Sequence, residues 1–166
     1  MEQLTFLKSE DPKRKVSACA FTGHRDLDAD FSEKALREET EKLILRGVTD
    51  FYNGMAMGFD LIAAETVLKL KKKYPKIRLI VCIPCYNQER GFTDKDKKRY
   101  VKILKKADEK VQLADEYYRG CMQVRDKYMA ERADVMIAYC KKETGGAAYT
   151  VRCFKRVHKN GEIIFL

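Results

Sequence analysis

Cys19-Ala20-Phe21-Thr22-Gly23-His24-Arg25-Asp26 is a short apolar run that stops abruptly on a Thr-Gly-His-Arg turn. If the run, from Val16 to Phe21, is a buried strand, the turn lies at its carboxyl end, where open α/β sheets bind ligands. Gly23 lets backbone approach a ligand closely. The amides of Thr22 to Arg25 then face an anion, and Arg25 supplies the planar fork of donors that suits phosphate.

Outward from this turn the same arrangement recurs. Ser32 stands as the N-cap of a helix whose buried face is Leu36, Thr40, Leu43 and Ile44, with Gly47 placed to end it. Val48 to Asn53 is a short strand running into Gly54-Met55-Ala56-Met57-Gly58-Phe59-Asp60, followed by a helix from about Leu61 to Lys73. Asp60 is placed either to cap that helix or to accept from a ribose hydroxyl. Glu65 faces a ligand only if the helix starts near Gly58.

Arg78 to Ile83 is continuously apolar after its first residue, the pattern of a strand buried on both faces of a parallel sheet. Pro84 ends it. Tyr86-Asn87-Gln88 then carries groups able to stack on a base or hydrogen-bond to one. Thr93 or Asp94 opens a polar helix to about Ala107 with Tyr100, Val101 and Leu104 as its inward stripe, and Lys110 to Ala114 is a further short strand. In the helix Cys121 to Arg132 the apolar spacing turns Val124, Tyr128 and Met129 inward and leaves Arg125 on a flanking face. Val135 to Tyr139 is another strand. Glu143-Thr144-Gly145-Gly146 follows, opening a helix to about Lys159 with bare amides at an N-terminus, which favours an anion. Glu162 to Leu166 closes the chain.

About six strands separated by helices predict an α/β fold, a single-domain, doubly wound and mostly parallel sheet. The domain spans 16–166 behind a polar lead-in, 1–15. Three strand exits then carry glycine at one edge: Gly23, Gly54 with Gly58, and Gly145 with Gly146. That coincidence points to a nucleotide-like or sugar-phosphate ligand. The fingerprint G-x-G-x-x-G is absent after the first strand, which argues against a standard NAD-dependent dehydrogenase.

The 166 residues, 45% hydrophobic and 36% charged, suffice for one domain with a core. Apolar runs fall far short of the ~20 residues that span a bilayer, so no membrane is expected and a cytoplasmic location is. Six cysteines lie mostly inside apolar stretches and read as reduced thiols, Cys82-Ile83-Pro84-Cys85 included, since no second pair or His cluster completes a metal site. The net charge of +9 is scattered over helix faces and supports nonspecific attraction to polyanions more than recognition of nucleic acid.

Phe21-Thr22-Gly23-His24-Arg25, then Asn53-Gly54-Met55-Ala56-Met57-Gly58-Phe59-Asp60, Ile83-Pro84 with Gln88, Arg125 with Met129 and Asp134, and Gly145-Gly146 with Tyr149 resemble, in that order, the YpsA-like branch of the SLOG superfamily. The resemblance implies a Rossmann-like fold binding a nucleotide or nucleotide-derived ligand such as AMP, NAD or ADP-ribose. The wider superfamily includes phosphoribohydrolases and a relative that handles single-stranded DNA. The branch itself is regarded as a nucleotide sensor linked to bacterial cell division or stress, which implies a protein partner, and relatives are often dimers. Carried over by motif, the ligand-site candidates are Gly23, His24, Arg25, Gly54, Gly58, Asp60, Gln88, Arg125, Gly145 and Gly146, to which the turn adds Thr22. The phosphoribohydrolases follow their second glycine motif with a catalytic Glu, whereas Gly145-Gly146-Ala147-Ala148-Tyr149 is apolar at that position. Asp60, Glu65 or Glu143, with Arg125, are the groups left to substitute. A binding or sensor protein is the leading expectation, with a nucleotide N-glycosidase and a single-stranded nucleic-acid binder as alternatives.

Overall fold

Strand and helix alternate through the computed structural model, which describes residues 16–166; the lead-in 1–15 lies outside the described residues. The strands are β1 (Ala18–Gly23), β2 (Asp50–Asn53), β3 (Arg78–Ile83), β4 (Glu109–Gln112), β5 (Val135–Tyr139) and β6 (Glu162–Phe165). The helices are α1 (Glu33–Leu45), α2 (Phe59–Lys71), α3 (Asp94–Lys106), α4 (Cys121–Arg132) and α5 (Gly146–Val157), with a short 3₁₀ turn at Gln88–Gly91. All six strands are parallel, in the order β4-β3-β2-β1-β5-β6. The order reverses between β1 and β5, so the exits of those two strands diverge and leave a crevice at the carboxyl edge.

The period of two along each strand divides the core into two layers. Cys19, Phe21, Leu79, Val81, Ile137 and Tyr139 meet Leu36, Leu43, Phe59, Tyr100 and Ile103 from α1, α2 and α3 on one face. Ala20, Ile80, Cys82, Met136 and Ala138 meet Met129, Ala130, Val151 and Phe154 from α4 and α5 on the other. Ser32 caps α1 by accepting from the Ala35 amide at 3.0 Å. Asp134 stitches the opposite, amino edge, where its Oδ2 accepts from the Ser17 and Ala18 amides at 3.0 Å each and from Ser17 Oγ at 2.7 Å. Cys82 and Cys85 are free and buried, and burial pushes the Cys82 thiol up to about 12.

Two helices differ in phase from the expectation. In α3 the inward residues are Tyr100 and Ile103, with Val101 exposed and Leu104 partly covered. In α4 the buried residues are Cys121, Arg125, Asp126, Met129 and Ala130, while Val124 is 47% exposed. The Cys121–Met129 spacing admits two stripes one position apart. Ion pairing inside the fold selects the charged one over the one containing Val124.

The approach of α2 to the β1 exit sets a hard steric limit. Gly58 has φ +80°, and a Cβ there would stand 2.1 Å from the Arg25 carbonyl oxygen. Gly145 has φ +97° with nothing within 4 Å of the corresponding position. Gly58→Ala should therefore destabilise by about 3–5 kcal/mol, combining strain with overlap, and Gly145→Ala by about 1–3 kcal/mol, from strain alone. Urea unfolding of the two variants measures the difference, and equal losses would contradict it.

Candidate functional site

The exits of β1, β2 and β5 are tied together by backbone before any side chain is considered. The His24 amide donates to the Tyr139 carbonyl at 3.2 Å, and the Phe59 amide donates to the His24 carbonyl at 3.1 Å. Fully buried Asn53 organises the β2–α2 loop: its Nδ2 donates to the Asp60 carbonyl and its Oδ1 accepts from the Met55 amide, both at 2.8 Å. This fixes Met55 at φ +60° and presents Asp60 in the first turn of α2.

Between these loops and the N-termini of α4 and α5 lies a hollow of about 380 Å³. Thr22, Gly23, His24, Arg25, Asp60, Arg125, Gly145 and Gly146 all line it, as do Asp126, Lys141, Lys142 and Thr150, which the sequence reading did not single out. Gly54, Gly58 and Gln88 are outside its lining. The Gly54 carbonyl accepts from Arg125 Nη1 and from Gln88 Nε2, the latter at 3.1 Å, and Gln88 Oε1 accepts from the Tyr100 hydroxyl at 3.4 Å. Gly54 and Gly58 thus serve contacts within the protein. Glu65 is away from the hollow, paired with Arg99 between α2 and α3. Glu143 is exposed in the β5–α5 loop and likewise is not part of the lining.

The floor is ionic and buried. Arg125, 5% exposed, donates from Nε to Asp126 Oδ1 at 2.7 Å. Burial raises the Asp126 carboxyl above the ordinary carboxylate range, and Arg125 and the Thr150 hydroxyl only partly oppose this. Asp60, 6% exposed, accepts from the Ala56 amide at 3.2 Å through Oδ2. Its Oδ1 is buried with no hydrogen-bond partner, the single such side-chain atom among the described residues. Burial pushes Asp60 up to about 7, against the pull of Arg125 and the Ala56 amide. A carboxyl in that state either donates a proton or waits for a donor.

The rim is of mixed charge, with Asp26 and Asp28 exposed beside the cations and Lys141 paired with Asp30 at 3.2 Å. Arg25, Lys141 and Lys142 are exposed around the mouth. His24 Nε2 accepts from the Lys141 amide at 2.7 Å, which ties the β1 and β5 exits together and assigns the proton of the neutral ring to Nδ1. Helix α5 begins at Gly145 without a side-chain cap, so its first amides and positive dipole end are open to an anion. The arrangement can hold a phosphate at the α5 end while Asp60 receives a hydroxyl or amine from the rest of the ligand. Among the described residues no cluster of three or more His, Cys, Asp or Glu side chains is arranged to hold a metal ion, and no helix is long and apolar enough to cross a membrane.

A sequence model described as the YspA SLOG family matches residues 15–164. A UPF0398 protein of Halalkalibacterium halodurans is 29% identical over 145 residues, covering 86% of this chain and 77% of its own length. One from Brevibacillus brevis is 31% identical over 117 residues, covering 69% and 58% respectively. Among solved structures, DNA processing protein A of Helicobacter pylori, described for its single-stranded DNA binding mode, superposes with a TM-score of 0.65 at 18% identity over 90% of this chain. The same protein from Streptococcus pneumoniae gives 0.64 at 15% identity, also over 90%. This chain spans 64% and 50% of those two structures. At such identities the superposition establishes the shared fold.

The Asp60 carboxyl makes stability depend on pH. Its folded value near 7 lies above the ordinary 3.8, so folding holds a proton that the unfolded chain releases between about pH 4 and 7. The contribution is fully present below that window and is lost as pH rises through it, by at most about 1.4 kcal/mol per pH unit. Asp60→Asn should flatten the fall in urea-unfolding free energy between about pH 4 and 7. Asp126, shifted in the same direction, leaves some slope; an unchanged slope would contradict the assignment to Asp60.

Proposed function

Because this chain belongs to the YspA SLOG family, we propose that it is a binding protein for a nucleotide or nucleotide-derived ligand, held in the hollow where β1 and β5 diverge. The observation that carries the reading is the buried, unpartnered Asp60 Oδ1, on a residue that lines the same hollow as Gly145 and Gly146 at the uncapped N-terminus of α5. One end of the site asks for an anion and the other for a hydrogen-bond donor. A ribose phosphate has both. Arg25 and the Gly145-Gly146 amides neutralise the phosphate, and Asp60 takes a sugar hydroxyl or an amino group of the base.

On this reading the exposed Arg25 and the β5–α5 loop, both at the mouth of the hollow, are the surface that occupancy changes and a protein partner can read. This is the sensor role implied by the resemblance, placed in the regulation of bacterial cell division or stress.

The state of Asp60 favours a second reading. A carboxyl near 7 in a cleft is suited to protonate a leaving base, as an enzyme cleaving an N-glycosidic bond requires. Single-stranded nucleic acid, suggested by the printed description of the Helicobacter pylori neighbour and by the charge of +9, is disfavoured at this hollow by Asp60 and Asp126 in its floor.

Dye-monitored thermal unfolding with AMP, ADP, ATP, NAD and ADP-ribose tests the reading. A ligand at 100 times its Kd adds ~2.7 kcal/mol, a rise of about 5–10 °C for a chain of this length. The rise should occur for at least one compound and disappear in Arg25→Ala. Release of free base from that compound, lost in Asp60→Asn, would replace the sensor by the glycosidase. Binding restricted to oligonucleotides and falling steeply with salt would replace both.

A further inference from the structure

A second hollow, of about 510 Å³, adjoins the first at the same edge of the sheet, between the exits of β3 and β4. Met122, in the first turn of α4, lines both. The second hollow is bounded by the two loops carrying Tyr86 and Tyr117, which are held to each other where the Tyr86 amide donates to the Asp115 carbonyl at 3.2 Å. Both tyrosines line it, and they are 74% and 63% exposed. A single exposed tyrosine needs no explanation, but two lining one hollow beside a candidate ligand site form a stacking surface. The other charged residues of the lining are Arg90, Asp115 and Glu116, so the carboxylates outnumber the cation. The two tyrosines set this hollow apart from the first, and it offers aromatic faces and hydrogen-bond acceptors with no excess of positive charge for a second phosphate.

We propose that this hollow receives the second base of a ligand made of two nucleosides bridged by phosphate. Tyr86 and Tyr117 stack on that base, and Asp115 or Glu116 accepts from its exocyclic amino group. The inference rests on the first hollow being the phosphate site and adds the class of ligand: a dinucleotide, reaching past Met122 from one hollow into the other. A mononucleotide fills the first alone.

Titration calorimetry with ADP-ribose and with diadenosine diphosphate tests this, since the two share an adenosine diphosphate and only the second carries another base. The wild-type protein should bind diadenosine diphosphate about 10- to 100-fold more tightly, the range expected for stacking one base. Tyr86→Ala with Tyr117→Ala should abolish that margin and leave ADP-ribose unaffected, whereas Tyr86→Phe with Tyr117→Phe should keep it, because a phenyl face still stacks. The chain has no tryptophan and nine tyrosines, so the contact is read as a difference in tyrosine emission: diadenosine diphosphate should quench the wild-type protein more than the alanine pair.

Equal wild-type affinities for the two ligands, or a margin that survives the alanine pair, would overturn the proposal. An equal loss for both ligands would also overturn it, by showing that a ligand's only base sits on the tyrosines. Preference for a 20-nucleotide oligodeoxyadenylate over diadenosine diphosphate would overturn it in favour of a strand. If both ligands bind equally and depend on Arg25, the two-base proposal alone falls. If neither binds the wild-type protein, the phosphate-site reading falls and takes this one with it.

Discussion

A guanidinium buried among two carboxylates governs this architecture. Removing Arg125 from water costs several kcal/mol unless its donors are matched, and the fold matches them with Asp126 on its own helix and the carbonyl of Gly54 on the β2 exit. The second contact requires the loop backbone to lie against the guanidinium: a Cβ at Gly54 would stand 2.8 Å from Nη1. Helix α4 is thereby fastened to the edge of the sheet. With two carboxylates and one cation below the surface, Asp60 is left short of positive charge. Burial raises its pKa, the nearby Arg125 only partly opposes this, and its Oδ1 has no partner.

That imbalance and the reversal of strand order together set the character of the crevice. A parallel sheet leaves its strand exits on one edge, and the crevice opens where neighbouring connections run in opposite directions, here between β1 and β5. The buried acid and the uncapped N-terminus of α5 line the same crevice. A ligand bridging them needs a donor at one end and an anion at the other, and this polarity separates a nucleotide from a simple phosphate or a plain polyanion.

The strand-and-helix alternation, the parallel sheet and eight of the eighteen residues that line the hollow were legible in the chain. Continuous apolar runs such as Arg78–Ile83 have few alternatives, and the turn after Phe21 carries its own chemistry. The three glycine-bearing exits, which look equivalent as text, divide into different tasks. Gly23 lines the hollow but packs against the Phe59 ring, Gly54 against Arg125 and Gly58 against the Arg25 backbone; Gly145 and Gly146 face open space. Asp126 escaped attention because an acid beside an arginine on a helix reads as solvated surface, and Val124 offered a more apolar stripe one position away. Its proximity to Arg125 and the i, i+4 relation to Ala130 were the available signals, and neither outweighs an apolar alternative without the packing.

By itself, then, the sequence determined the elements, their parallel order of assembly and the edge at which chemistry gathers, because hydrophobic period and turn chemistry are local and strand exits follow from the connections. It also named Arg25, Asp60 and Arg125. Tertiary structure alone decided which glycines remain open, which face of α4 turns inward and which carboxylates lose their water. Those outcomes depend on distances between residues far apart in the chain: Gly54 and Arg125 are separated by 71 positions, and a local pattern carries no record of the desolvation that their meeting imposes.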